Sequence, residues 1–145
     1  MQSLILQIKQ LIEAINPEYT FVFETERMMN VRADDIKFPV AFWNEYPTAT
    51  NEITRTRYGQ MVLRERVELS FMRIAPRDNY HCDAIEREEL RQQIMDEMVE
   101  PFIKAVGTVE GFNEINDWTI AKEPPMFDDV EVSVLVSFYV ERSIC

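Results

Sequence analysis

His81, Cys82 and Asp83 adjoin in the stretch Tyr80-His81-Cys82-Asp83, where base, nucleophile and ligand types stand side by side. A structural zinc site needs three or four ligands at spacings that let them converge. The chain holds one histidine, and its other cysteine is Cys145, so such a set falls short. A Cys82–His81 couple meets a geometric obstacle. Adjacent side chains diverge, whereas a nucleophile and its base must come within hydrogen-bond reach. A turn ahead of a helix, with Asp83 as N-cap, is the simpler reading. No Gly-x-Ser-x-Gly elbow accompanies the histidine, and the three glycines form neither of the common nucleotide-cradling patterns. Asp34-Asp35 and Asp128-Asp129 have the oxygen ligands for a hard cation or for acid–base work. Both pairs sit where turns are expected, and Asp favours turns for its side-chain hydrogen bonds to the backbone. The expectation is a chain without catalytic residues, metal or cofactor.

The residues that would have to position any site belong to a chain of 145, enough for one domain with a proper core. Net charge is -11, from 26 acidic and 15 basic residues. A nucleic-acid binder needs a basic footprint, and this balance repels DNA, RNA and anionic membranes. No run reaches the roughly 18 apolar residues of a membrane span. Met1 to Ile15 intersperses Gln7, Lys9, Gln10 and Glu13 among its apolar residues, an amphipathic pattern rather than that of a signal peptide. Two cysteines make no disulfide framework, which points to a reducing compartment.

Leu4, Ile5, Ile8, Leu11, Ile12 and Ile15 recur at helical spacing, and Asn16-Pro17 should stop that helix. The period then becomes two. Tyr19, Phe21 and Phe23 face one way and Thr20, Val22 and Glu24 the other, which predicts a strand. A second strand is expected over Phe38–Tyr46, with Pro39 at an edge or a strand start. Residues 47–59 (PTATNEITRTRYG) read as a protruding loop or an extended hairpin tip. Met61, Leu63, Val67, Leu69 and Phe71 line one face of the next strand, and Arg64, Arg66, Glu68 and Ser70 the other. From Asp83, with Glu86 as capping-box acid, a helix carries two apolar rows as far as Val106. Pro101 should kink it and Gly107 should sit just past its end. Strands over Trp118–Lys122 and from Val130 to Glu141 complete the chain. The predicted fold is α+β, one domain over residues 1–145. Its mostly antiparallel or mixed sheet has four to five strands, with two main helices packed on one face.

Charge is polarised along this layout. From Glu52 to Arg73, five arginines (Arg55, Arg57, Arg64, Arg66, Arg73) face three glutamates, a net of +2. From Asp83 to Glu100, seven acids, among them Glu86, Glu89, Asp96 and Glu97, face two arginines, a net of -5. Two solvated surfaces with some internal pairing would account for this. The alternative is head-to-tail association, the arginine hairpin of one copy meeting the acidic helix of the next, a heterologous contact that closes into rings. Use of arginine rather than lysine favours it, because Arg is the interface cation.

The order of elements resembles that of the small ring-forming subunits of tailed-bacteriophage necks and tails, especially tail-terminator or tail-completion proteins. The stretches that carry the resemblance are SLILQIKQLIEAI, PTATNEITRTRYG, IEREELRQQIMDEMVEPFIKAV and DDVEVSVLVSFYVE, which together cover most of the chain. The resemblance implies a non-enzymatic virion protein assembled in the host cytoplasm and partnered by copies of itself, commonly six. Its other partners would be tail-tube or neck proteins, with DNA passing through the ring without sequence-specific binding. An alternative is a cellular binding or adaptor module on a similar sheet, with Phe42, Trp43, Tyr46, Trp118 and Tyr139 lining a pocket.

Overall fold

A computed structural model describes residues 3–25, 28, 36–46, 50–55, 58–74, 84–123 and 131–144. Helix α1 spans Leu4–Ile15 and buries Leu4, Ile8 and Ile12, one stripe at four-residue spacing. It ends where the sequence predicts. Asn16 donates its N–H to the Ile12 carbonyl at 3.0 Å, and its side chain accepts from the Glu18 N–H at 3.1 Å, which closes a turn around Pro17.

Six strands form one mixed sheet: β1 (Thr20–Glu24), β2 (Val40–Asn44), β3 (Glu52–Arg55), β4 (Met61–Ile74), β5 (Glu114–Glu123) and β6 (Glu131–Ser143). Their order is β1-β2-β4-β6-β5, with β3 paired to β4 beside β2. The expected four to five strands become six because β3 forms inside the segment read as loop or hairpin tip. Its residues are all exposed, so no alternation of apolar and polar residues marked it. β1 and β2 run parallel and every other pairing is antiparallel.

Alternation along the strands sets the two faces. Val67, Leu69 and Phe71 of β4, Ala41 and Trp43 of β2, and Val134, Val136, Phe138 and Val140 of β6 share one buried cluster. The buried apolar residues of both helical segments lie in that same cluster. Tyr19, Phe71, Phe102 and Phe138 form an aromatic chain through it, edge-to-face at the first two contacts and tilted at the last, with centroids 5.8–6.2 Å apart. On the opposite face Val22, Val40, Phe42 and Met72 make a smaller cluster. β6 is buried on both faces over much of its length, Glu131, Ser133 and Ser137 included. That is a central strand, drier than its alternating sequence suggests.

The second helical stretch has three parts: α2 (Ala84–Ile94), a π-helical turn (Met95–Val99) and α3 (Glu100–Val106). The expected kink at Pro101 takes this form. Proline lacks an N–H and its ring crowds the carbonyl four residues back. The preceding turn widens, and Glu100 donates to the Met95 carbonyl five residues away. Backbone torsions stay helical throughout. Ile94, Met98, Val99, Phe102 and Val106 are buried, as the two predicted rows require. Gly107 ends α3 with φ -68°, so a left-handed cap is not its role; Gly111, at φ 91°, holds that conformation.

Candidate subunit interface

The predicted contact residues separate into those held by internal partners and those that face outward. Arg64 belongs to the first group. Its guanidinium donates to Glu52 of β3 at 3.1 Å, to Asn116 of β5 at 3.1 Å and to Asp117, lies 3.8 Å from Glu141 of β6, and sits 3.7 Å over the Tyr139 ring. A bulge in β5 between Asn116 and Thr119 aims Asp117 at it. Asp117 adopts φ 55°, a conformation that Asp tolerates better than most residues. Burial opposes the charge on Arg64, but its hydrogen bonds to Asp117 and Glu52 outweigh it and raise the guanidinium pKa further. Arg66 pairs with Glu68 at 3.4 Å and also lies over Tyr139, at 4.9 Å. Both arginines are only 16 % exposed, so the polar side of β4 is closed by its own pairs instead of open to water.

Glu97 lies in the π-helical turn and accepts from the Tyr19 hydroxyl at 2.7 Å and from Arg73 of β4. Burial pushes the Glu97 carboxyl up, yet the hydrogen bonds from Arg73 and Tyr19 prevail and hold it below its ordinary value. Burial and the bond to Glu97 push the Tyr19 hydroxyl well above the usual phenol range. The pair to Glu97 likewise raises Arg73, whose charge also lies 5.8 Å from the Tyr19 ring. Thus the arginine strand and the acidic helix are already joined once within a single chain.

Arg55 on β3 and Glu89 and Asp96 on the helix are exposed, and Asp96 accepts from Gln92 at 2.8 Å. Glu86 is half-buried. Arg57 lies outside the described residues, as do His81, Cys82, Asp83, Asp34, Asp35, Asp128, Asp129 and Cys145. Among the described residues no cluster of three or more His, Cys, Asp or Glu could hold a metal ion, and no helix is long and apolar enough to cross a membrane.

Two surface features escaped the sequence reading. Around the hairpin, Ile53, Tyr58 and Met61 are exposed apolar residues. A cleft of about 780 Å³ opens where α1 meets the end of β6, lined by Gln7, Leu11, Val109, Asn113, Arg142 and Ile144 among others. Arg142 reaches back from it to Glu65 at 2.5 Å and donates to Gln7 of α1 at 3.2 Å. The five aromatics proposed for a ligand pocket do not meet. Trp43 and Trp118 pack in or against the main core, Phe42 and Tyr139 lie on the opposite face of the sheet, and Tyr46 is exposed. None of them lines the cleft.

No protein-family model matches the chain, and no curated protein is similar to it in sequence.

Proposed function

We propose that this chain is a non-enzymatic structural subunit of a tailed-bacteriophage virion, forming a ring at the tail or the head–tail junction through contacts between copies of itself. The observation that carries the proposal is the pairing of two unlike outward surfaces on one molecule. One is the β3–β4 hairpin, with exposed Ile53, Arg55 and Tyr58. The other is the acidic outer side of α2, with exposed Glu89 and Asp96. Unlike, complementary surfaces associate head to tail, and such contacts close when the rotation between neighbours permits.

The charge supports the same reading. The net charge of -11 suits an anionic lining for a channel through the ring. Such a lining lets DNA pass without being held. The tail-tube and neck proteins to either side would dock on the flat ends of the ring.

Electron microscopy of the purified chain, with a gel-shift assay on linear double-stranded DNA, tests this. The proposal expects annular particles of uniform diameter and no retained DNA at physiological salt. Scattered monomers that fail to join tail-tube subunits, or tight DNA binding that weakens with salt, would count against it.

A further inference from the structure

On its helix side the sheet runs on beyond the core. β4 and β6 keep one unbroken register from Val62↔Ser143 to Ile74↔Glu131. Met61 and Leu63 therefore share the face of Val67, Leu69 and Phe71, the face that carries the helices. The pairs Arg55↔Met61 and Ile53↔Leu63 put Arg55 and Ile53 on it too. Ile144 continues the same face from β6, its N–H donating to the Met61 carbonyl at 3.0 Å. Farther along β4 this face is fully buried, but here Ile53 is 64 % exposed, Met61 38 % and Ile144 37 %. Ile144 also lines the cleft beside α1. Exposed apolar side chains thus run from Ile53 and Met61 to Ile144 at the rim of the cleft, beyond the largely buried Arg142–Glu65 pair that Gln7 of α1 covers on the same face. A patch of that kind marks an interface.

The outward row of α2 matches it. Ile85, Glu89, Gln92 and Asp96 follow one another at helical spacing, all exposed, with Ile85 71 % exposed. From Ile85 to Glu89 the helix rises about 6 Å. From Ile53 to Arg55 the strand advances about 7 Å. An apolar residue followed by a charge thus recurs at nearly the same interval on both surfaces, and the charges are opposite.

We propose that a second copy of this chain lays the outward row of its α2 on the bare hairpin face, Ile85 against Ile53 and Met61, and Glu89 against Arg55. The neighbour's helix then extends the helix layer over the end of the sheet. This rests on the ring reading and deepens it, since it names the face each copy offers. Because α2 and the hairpin are different surfaces of one chain, the contact is heterologous and propagates around a ring. The apolar pair supplies most of the attraction, and Arg55–Glu89 sets register and partner choice.

Native mass spectrometry across a concentration series tests it on the full chain and on four variants: Arg55→Glu, Glu89→Arg, their combination, and Ile53→Asp. The three substitutions fall on exposed side chains, so the far-UV circular dichroism spectra of all four variants are expected to stay at wild type. Each single change should raise the assembly midpoint concentration by about tenfold or more, because Arg55→Glu and Glu89→Arg set like charges against each other across a repeated contact and Ile53→Asp sets an unpaired charge against Ile85. The charge-reversed pair should return towards wild type. Singles that weaken assembly without rescue in the pair would overturn the Arg55–Glu89 match. An assembling wild type whose variants all keep the same mass and salt response would overturn the contact and leave the ring reading standing. A chain that stays monomeric throughout would overturn both. If Arg55→Glu misfolds, Arg55→Gln and Glu89→Gln provide the same comparison without charge reversal.

Discussion

Arg64 binds together four strands, joining β4 to Glu52 on β3, to Asn116 and Asp117 on β5, and to Glu141 and Tyr139 on β6. Multiple charged hydrogen bonds on one half-buried guanidinium stabilise more than a solvated surface pair does. Arg64→Met should cost about 2 kcal/mol by urea denaturation, with a smaller loss for Arg66→Met, which gives up one longer pair with Glu68 and a more distant contact with the Tyr139 ring. Equal, negligible losses would mean that the network adds nothing. Glu97 permits a test by pH. Its carboxyl is held below its ordinary value of 4.5. The stability it confers is therefore complete above about pH 4.5 and is lost as pH falls through the lower, folded-state value. The stability gap between wild type and Glu97→Gln should narrow from pH 6 to pH 3, and a gap constant over that range would rule out the ionised pair. The charge reading at this scale was half legible. Composition along the chain revealed which segments carry arginine and which carry acid. It could not reveal that Arg73 and Glu97 meet inside one molecule, because 24 residues and a change of element separate them.

Periodicity accounts for how much of the architecture could be read at the level of elements. The four-residue spacing of Leu4, Ile8 and Ile12 and the alternation of β6 bury the residues that their patterns select. On β4 the pattern holds for Val67, Leu69 and Phe71, but Met61, selected for the same face, is exposed where the sheet outruns the helices. β3 was hidden for the converse reason: a short, fully exposed strand leaves no apolar signature. The parallel pairing of β1 with β2 was equally illegible, since strand direction depends on the path of the connection and not on the strands' own residues. Pro101 was visible, but its accommodation by a π-helical turn depends on packing that fixes the helix on both sides of it. Two substitutions test the core that results. Val134→Asp sets an unpaired charge on the buried face of β6 and should abolish cooperative unfolding altogether. Phe102→Ala removes the ring between Phe71 and Phe138 and should cost about 3–5 kcal/mol in chemical denaturation. A loss below about 1 kcal/mol would mean that the aromatic chain is not a close-packed core.

For the whole molecule, the account turns on surfaces left over once the fold is satisfied. Arg64, Arg66, Arg73 and Glu97 serve the fold, which removes them from the pool available to a partner. Arg55, Ile53 and Met61 on one side, and Ile85, Glu89 and Asp96 on the other, remain outward. The proposed ring rests on these unlike surfaces and on the acidic net charge. Native mass spectrometry of the purified 17.2 kDa chain at tens of micromolar, at low and high salt, tests that reading most directly. A ring held mainly by its apolar contacts gives one discrete species of six or more copies, whose assembly midpoint concentration rises modestly as salt screens the Arg55–Glu89 contact. A single peak at the monomer mass under every condition, with no association on adding tail-tube subunits, would contradict it.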